Sequence, residues 1–286
     1  PVPPLRSAGL VAELVTPDAG LYAVRYEDVF RRGRGVLASS LGLSRQGQSV
    51  AYHLEPQRAL FGPGSVLYFV SVGSESNPWG NAVYQLATGE RAKRMPVVTG
   101  APSGAAAMEY LDRKEWEQNR YYQAGLLEAK DLWQWDLLVS PVTKSYPITL
   151  RELSQGSTPA RLTVWLQGAS DFEVAPDHHL RVSLNGQVVG EASWGGRTER
   201  VIEADVLPGI LVEGQNTVSL ENVGDTAATY SMVFLNRFSL RYPRLLVAEN
   251  GQIRGSFSES GTVEVSGLGA NAFVVATRDD RTAIGK

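Results

Sequence analysis

Cysteine is absent from all 286 residues, which removes disulfides, thiolate zinc sites and a cysteine nucleophile from any account of this chain. Histidine is scarce: His53, His178 and His179 are the whole supply. General-base and metal schemes have few bearers, and neighbouring His178 and His179 point to opposite faces of a strand, badly placed to share one metal. No uninterrupted apolar run approaches the ~20 residues of a membrane helix, and no signal-peptide core stands out. Positive charge is not in excess: 27 Lys and Arg against 30 Asp and Glu leave a net charge of -3. The short run Arg31-Arg32-Gly33-Arg34 reads as a solvated loop, so no nucleic-acid partner is expected. The nucleophile elbow, the phosphate loop and the HExxH zinc helix are all missing. Gly267-Leu268-Gly269-Ala270-Asn271-Ala272 fits a dinucleotide fingerprint formally, but it lies between strand-like segments with no helix to hold a pyrophosphate.

What is present is alternation. The stretch His178 to Gly196, HHLRVSLNGQVVGEASWGG, reads as a β-hairpin turning at Asn185-Gly186. A plain two-residue loop would pair Val182 with Val189 and split the apolar set between two faces. A three-residue loop, Leu184-Asn185-Gly186, sets Val182 across from Val188 and Leu180 across from Gly190, with Gly186 left-handed. That register is expected. It places Leu180, Val182, Val188, Gly190, Ala192 and Trp194 on one buried face.

The same period recurs at Leu162 to Leu166, Ile202 to Val206 and Thr217 to Leu220. A run from Tyr230 to Tyr242 would be roughly 40 Å long at ~3.3 Å per residue, about twice a typical strand, so a bulge or break is expected near Asn236. Earlier, Leu10 to Thr16 and Gly20 to Tyr26 look like a paired hairpin. A helical turn follows at Glu27 to Arg32, then strands near Gln48 to His53, Val66 to Val72 and Ala82 to Leu86. Met108, Leu111, Glu115, Trp116, Asn119 and Tyr122 fall at helical spacing and make 108–130 the best helix candidate. Leu132 to Leu138, with Trp133 and Trp135 on one parity, returns to strand. Beyond Tyr242 come short strands around an Asn250-Gly251 turn, and Arg278 to Lys286 reads as linker. The expected fold is mostly β: an N-terminal β domain (1–100), a helical connector (101–130), an antiparallel jelly-roll sandwich (131–243) and a β-rich extension with linker (244–286).

Candidate binding residues are few. Trp165 near Gln167, and Trp194 near Arg197, could stack on a sugar, although the hairpin register turns Trp194 inward. Asp171, Glu173 and Asp177 could hold a structural calcium ion through oxygen ligands, against the plainer reading of a solvated loop. No catalytic residue and no other cofactor is expected.

Several phrases, in order, resemble the region preceding the catalytic domain in secreted bacterial gingipain-type cysteine peptidases. They are Gly20 to Val29 (GLYAVRYEDV), Phe61-Gly62-Pro63-Gly64 with Leu67-Tyr68-Phe69, Asn81 to Leu86 (NAVYQL), Glu115 to Tyr122 (EWEQNRYY), Leu132 to Asp136 (LWQWD), and the hairpin with Gly214-Gln215-Asn216. The resemblance implies a non-catalytic β domain followed by a galactose-binding-like jelly roll in an exported multidomain protein, secreted or in the cell envelope, with a neighbouring catalytic domain as partner. It carries no catalytic residue across, since the family's Cys and His lie downstream. The start at Pro1 without Met suggests an excised piece. A carbohydrate-binding module, with a carbohydrate or cell-surface ligand, and an independent glycosidase are the alternatives. The galactose-binding name describes a fold and implies no sugar.

Overall fold

A computed structural model describes residues 9–30, 33, 35–73, 81–98, 104–125, 129, 131–257, 261–269, 272, 274–278 and 281–285. The described structure is mostly β and falls into two compact units, residues 1–101 with 270–286, and residues 102–269. Each has its own apolar core.

In the first unit the main strands are β1 (Leu10–Thr16), β2 (Ala19–Arg25), β3 (Leu41–Arg45), β4 (Tyr52–Glu55), β5 (Val66–Val72) and β6 (Ala82–Thr88). One sheet runs β1-β6-β3 and ends on Gln48–Ser49; the other runs β2-β5-β4. The expected β1–β2 hairpin is therefore corrected. Both strands exist, but β1 pairs with β6 and β2 with β5, because the chain crosses between sheets at Pro17-Asp18. Leu43, Tyr52, Leu67, Phe69, Tyr84 and Leu86 fill the core they share. A single helical turn, Tyr26–Val29, follows β2 and is capped where the Asp28 carboxylate accepts the Arg25 backbone N–H at 3.1 Å.

In the second unit the strands are β7 (Glu109–Glu117), β8 (Asp136–Val139), β9 (Val142–Leu150), β10 (Ala160–Gly168), β11 (His178–Leu184), β12 (Gln187–Trp194), β13 (Glu199–Val206), β14 (Gly214–Asn222) and β15 (Met232–Leu245). They form a β-sandwich. One sheet is ordered β9-β14-β11-β12, the other β7-β15-β10-β13 with β8 also on β15. Inward residues such as Leu162, Val164, Leu180, Val182, Leu220 and Leu240 are fully buried between them. At ~25 cal/mol per Å² of apolar surface, such side chains are worth ~1.5–3 kcal/mol each.

The helical connector is also corrected. Among its described residues there is no helix, and β7 pairs along its whole length with β15, from Glu109 opposite Leu245 to Glu117 opposite Arg237. Tyr110, Asp112, Lys114 and Trp116 alternate toward the sandwich, and this period of two wins because a long neighbouring strand offers a continuous ladder. Trp133 and Trp135 do not share a face either: Trp133 lies in a short ladder with Tyr121–Tyr122, while Trp135 is buried.

The central strand β15 has 14 residues. Trp165 pairs with Arg237 and Leu166 with Leu235, so Asn236 is the extra residue of a bulge, where the sequence places one. On its other edge β15 passes from β8 to β7 at the same point.

The hairpin turn differs from expectation. Asn185 (φ 51°) and Gly186 (φ 80°) form a two-residue left-handed turn, with Leu184 opposite Gln187 and Ser183 opposite Val188. Pairing then resumes as Val182 with Gly190, leaving Val189 as a bulge. The register pairing Val182 with Val188 and Leu180 with Gly190 is thus wrong, and Val188 is 57% exposed. The bulge shifts parity by one residue and returns Ala192 and Trp194 to the face of Leu180 and Val182.

After β15 the chain carries the expected turn at Asn250 and Gly251 (φ 54° and 72°), with Glu249 bridging Gln252. Near the end, β16 (Val274–Arg278) pairs with β17 (Arg281–Gly285), and β17 runs parallel to Val97–Val98. The expected linker over Arg278 to Lys286 is therefore largely a strand with Ile284 buried; 279, 280 and 286 lie outside the described residues.

Candidate functional site

The base of the β11–β12 hairpin holds a dense polar cluster. Asp177 enters it from the preceding loop and is fully buried: one oxygen accepts the Gly196 N–H at 2.8 Å, the other the Phe172 N–H at 3.3 Å. His178, also fully buried, meets the Ser231 hydroxyl at 2.8 Å through Nδ1 and donates to the Gly196 carbonyl at 3.1 Å through Nε2, with Asp177 3.6 Å away. A Ser231–His178–Asp177 constellation contains the residue types of a hydrolase triad. Its geometry serves the fold. Ser231 is 1% exposed, and Asn222 donates to its hydroxyl, so a substrate has no path to the oxygen in this arrangement. Gly168 shows how close the packing is, since a Cβ there would lie 2.2 Å from the Gly196 carbonyl oxygen and 2.8 Å from His178 Nε2.

The three calcium candidates are separated in role. Asp177 is occupied with backbone amides, while Asp171 and Glu173 are exposed on the loop. Among the described residues no group of three or more His, Asp or Glu is arranged to hold a metal ion. Trp194 is 8% exposed and stacks at a tilt on His178, with ring centroids 4.9 Å apart, in keeping with its inward reading. Arg197 is exposed, and its carbonyl accepts from the Gln167 amide at 2.9 Å. The two are not combined in one open groove.

Trp165 is covered by its cross-strand neighbour, with the Arg237 guanidinium 4.4 Å from its ring centre. Arg237 also approaches Glu115 at 3.6 Å. Burial pushes the Glu117 carboxyl above its ordinary range, Arg237 opposes this, and Asp131 and Glu115 add to the rise. On the opposite sheet His179 bonds Asp225 at 2.7 Å, and that bond holds Asp225 below the usual carboxylate range.

One feature escaped the sequence reading. Tyr122 (53% exposed) and Trp133 (43%) stand directly opposite in their ladder with centroids 5.2 Å apart, forming an open aromatic pair. The signal was there in Tyr121-Tyr122 and Trp133. A helical reading of the first segment hid it.

No protein-family model and no curated protein matches the chain. Among solved structures it is similar to dimeric latent PorU from Porphyromonas gingivalis, with a TM-score of 0.63 and 14% identity, over 97% of this chain and 30% of that one. Lower likenesses include a β-porphyranase of glycoside hydrolase family 86 from the human gut bacterium Bacteroides plebeius (TM-score 0.28, 13% identity, 80% of this chain and 37% of that one). Another is the insecticidal delta-endotoxin Cry8Ea1 from Bacillus thuringiensis (TM-score 0.28, 14% identity, 57% of this chain and 28% of that one). Scores that low carry no argument. The likeness to PorU is one of fold, and it covers nearly the whole of this chain while spanning less than a third of PorU.

Proposed function

We propose that this chain is a non-catalytic accessory region of an exported, gingipain-like multidomain protein. In this reading the second unit is a galactose-binding-like jelly roll. Together the two units serve the folding, latency or positioning of a neighbouring peptidase domain, in the cell envelope or after secretion. The observation that supports it is the fold likeness to PorU across 97% of the chain, with most of PorU lying outside the match. Two further facts agree. The chain has no Cys to supply the thiolate used by the resembled family, and the Ser231–His178–Asp177 constellation is buried.

The test is deletion of residues 1–286 from the parent gene product. Loss of soluble yield, or premature activity of the adjoining domain, is expected; unchanged yield and unchanged activation would sink the proposal. The purified chain should show no Arg- or Lys-directed cleavage.

One observation favours the carbohydrate-binding alternative. The open pair Tyr122–Trp133 offers apolar ring faces of the kind that stack on sugars. Glycan-array binding lost in Trp133→Ala with folding intact would establish it, whereas dependence on Trp194 would contradict the burial of that ring.

A further inference from the structure

The chain contains two Asn-Gly pairs, Asn185-Gly186 and Asn250-Gly251. Their backbones are alike: φ is 51° and 80° in the first, 54° and 72° in the second. Both asparagines are exposed, and around both glycines the space is open. Neither backbone form nor exposure separates them.

Their carboxamides do differ. The Asn185 Nδ2 donates to the Ile210 carbonyl and to Asn216 Oδ1, each at 2.8 Å, and its Oδ1 accepts the Thr217 N–H at 2.9 Å. That side chain is pinned to the loop at Ile210 and to the start of β14. Asn250 has no side-chain hydrogen bond among the described residues, although its turn is closed by Glu249 and Gln252 bonding each other at 2.8 and 3.0 Å.

We infer that Asn250 is a site of spontaneous covalent modification, deamidation through a succinimide, and that Asn185 is protected from the same reaction by its hydrogen bonds. The Gly251 amide nitrogen, having lost its proton to solvent base, attacks the Asn250 side-chain carbon. A C–N bond forms, the bond to the side-chain NH2 breaks, and ammonia leaves with a proton from water. Water then opens the five-membered ring. Attack at the side-chain carbonyl gives Asp, and attack at the backbone carbonyl gives an isoaspartyl link. Nothing is oxidised or reduced, and water is the only co-reactant. Glycine at the second position matters because no Cβ hinders the attacking nitrogen.

The reaction requires the carboxamide to rotate toward the next amide. For Asn185 this means breaking its hydrogen bonds first, so its rate should be lower by roughly tenfold or more, equivalent to one or two net hydrogen bonds. At Asn250 the change has structural consequences. The neighbouring Glu249 reaches Arg244 at 3.3 Å, and Arg244 is a buried clamp on Tyr110, Asp112 and the Arg151 carbonyl. An isoaspartyl link adds a backbone atom to the turn that holds Glu249, and either product places a second carboxylate beside it. Modification therefore loosens the Glu249 end of this clamp.

Peptide mapping by mass spectrometry of the full 286-residue chain, aged at mildly alkaline pH, tests this directly. Aspartyl and isoaspartyl products should accumulate at 250 roughly tenfold or more faster than at 185. In denaturant, where no side-chain bonds survive, the two rates should converge. Equal rates in the folded chain would overturn the inference. So would a faster reaction at 185, or a difference that persists after unfolding, since sequence alone would then explain it.

Discussion

Val182 and Val188 sit on the two arms of one hairpin, yet one is fully buried and the other 57% exposed. Truncating Val182 to Ala removes buried methyl groups and leaves a cavity, so a loss of about 1–3 kcal/mol is expected. Val188→Ala should change stability by less than ~0.5 kcal/mol. Denaturant titration of both variants decides between the bulged register and the unbulged three-residue loop, in which the two would cost alike. At Gly186 the backbone is left-handed with open space around it, so Gly186→Val should cost about 1–3 kcal/mol from backbone strain alone. Gly168→Ala has the opposite cause. Its backbone is ordinary, but the new methyl meets the Gly196 carbonyl and His178, and at least ~2 kcal/mol should be lost by the same measurement.

At the scale of elements, two bulges organise the sandwich. Val189 corrects the parity of β12 after a turn that would otherwise send Ala192 and Trp194 to solvent. Deleting Val189 should make the ladder regular while keeping Val182 opposite Gly190 and His178 opposite Trp194, so Trp194 fluorescence should stay that of a buried indole and unfolding should stay cooperative. A variant whose Trp194 shifts toward the spectrum of an exposed indole would show that the strand has re-registered, against the role given to the bulge. Asn236 does the same for β15, with its amide donating to the Trp133 carbonyl at 2.9 Å and to Asp131 at 3.1 Å where β8 gives way to β7. This bulge was legible because a strand of that length exceeds what an unbroken ladder usually sustains.

The whole molecule has two cores, and its probes are unevenly divided between them. Five of the six tryptophans, all but Trp79, lie in 102–269, so intrinsic fluorescence reports the sandwich while far-UV dichroism reports both units. Unfolding followed by the two probes should give non-coincident curves; superimposable ones would mean the units unfold as one. Alkaline pH provides a second test. Burial, helped by Asp136 for Tyr146 and by Asp112 for Tyr242, pushes both phenols far above their ordinary value near 10. The sign follows. A raised pKa stabilises the fold fully below about pH 10, and that contribution is lost as pH rises above it, because the unfolded phenols ionise first. The denaturant midpoint should fall above that pH, and phenolate absorbance from these residues should appear only on unfolding.

Alternation along the chain determined the β class, and Asn-Gly pairs located two left-handed turns, because inward-outward period and φ preference are properties of a few consecutive residues. The inward placement of Trp194 was readable for the same reason. Partnership was not. Leu10–Thr16 and Ala19–Arg25 carry the same alternation whether they pair with each other or enter separate sheets, and only the positions of β5 and β6 chose. Glu109–Glu117 satisfies a helical period and a strand period equally well until a long β15 offers nine consecutive partners. In the same way, the two Asn-Gly pairs are identical in sequence. Which carboxamide is held depends on Ile210, Asn216 and Thr217, contributed from loops and strands far along the chain, because hydrogen bonds of that kind exist only once the sheets have assembled.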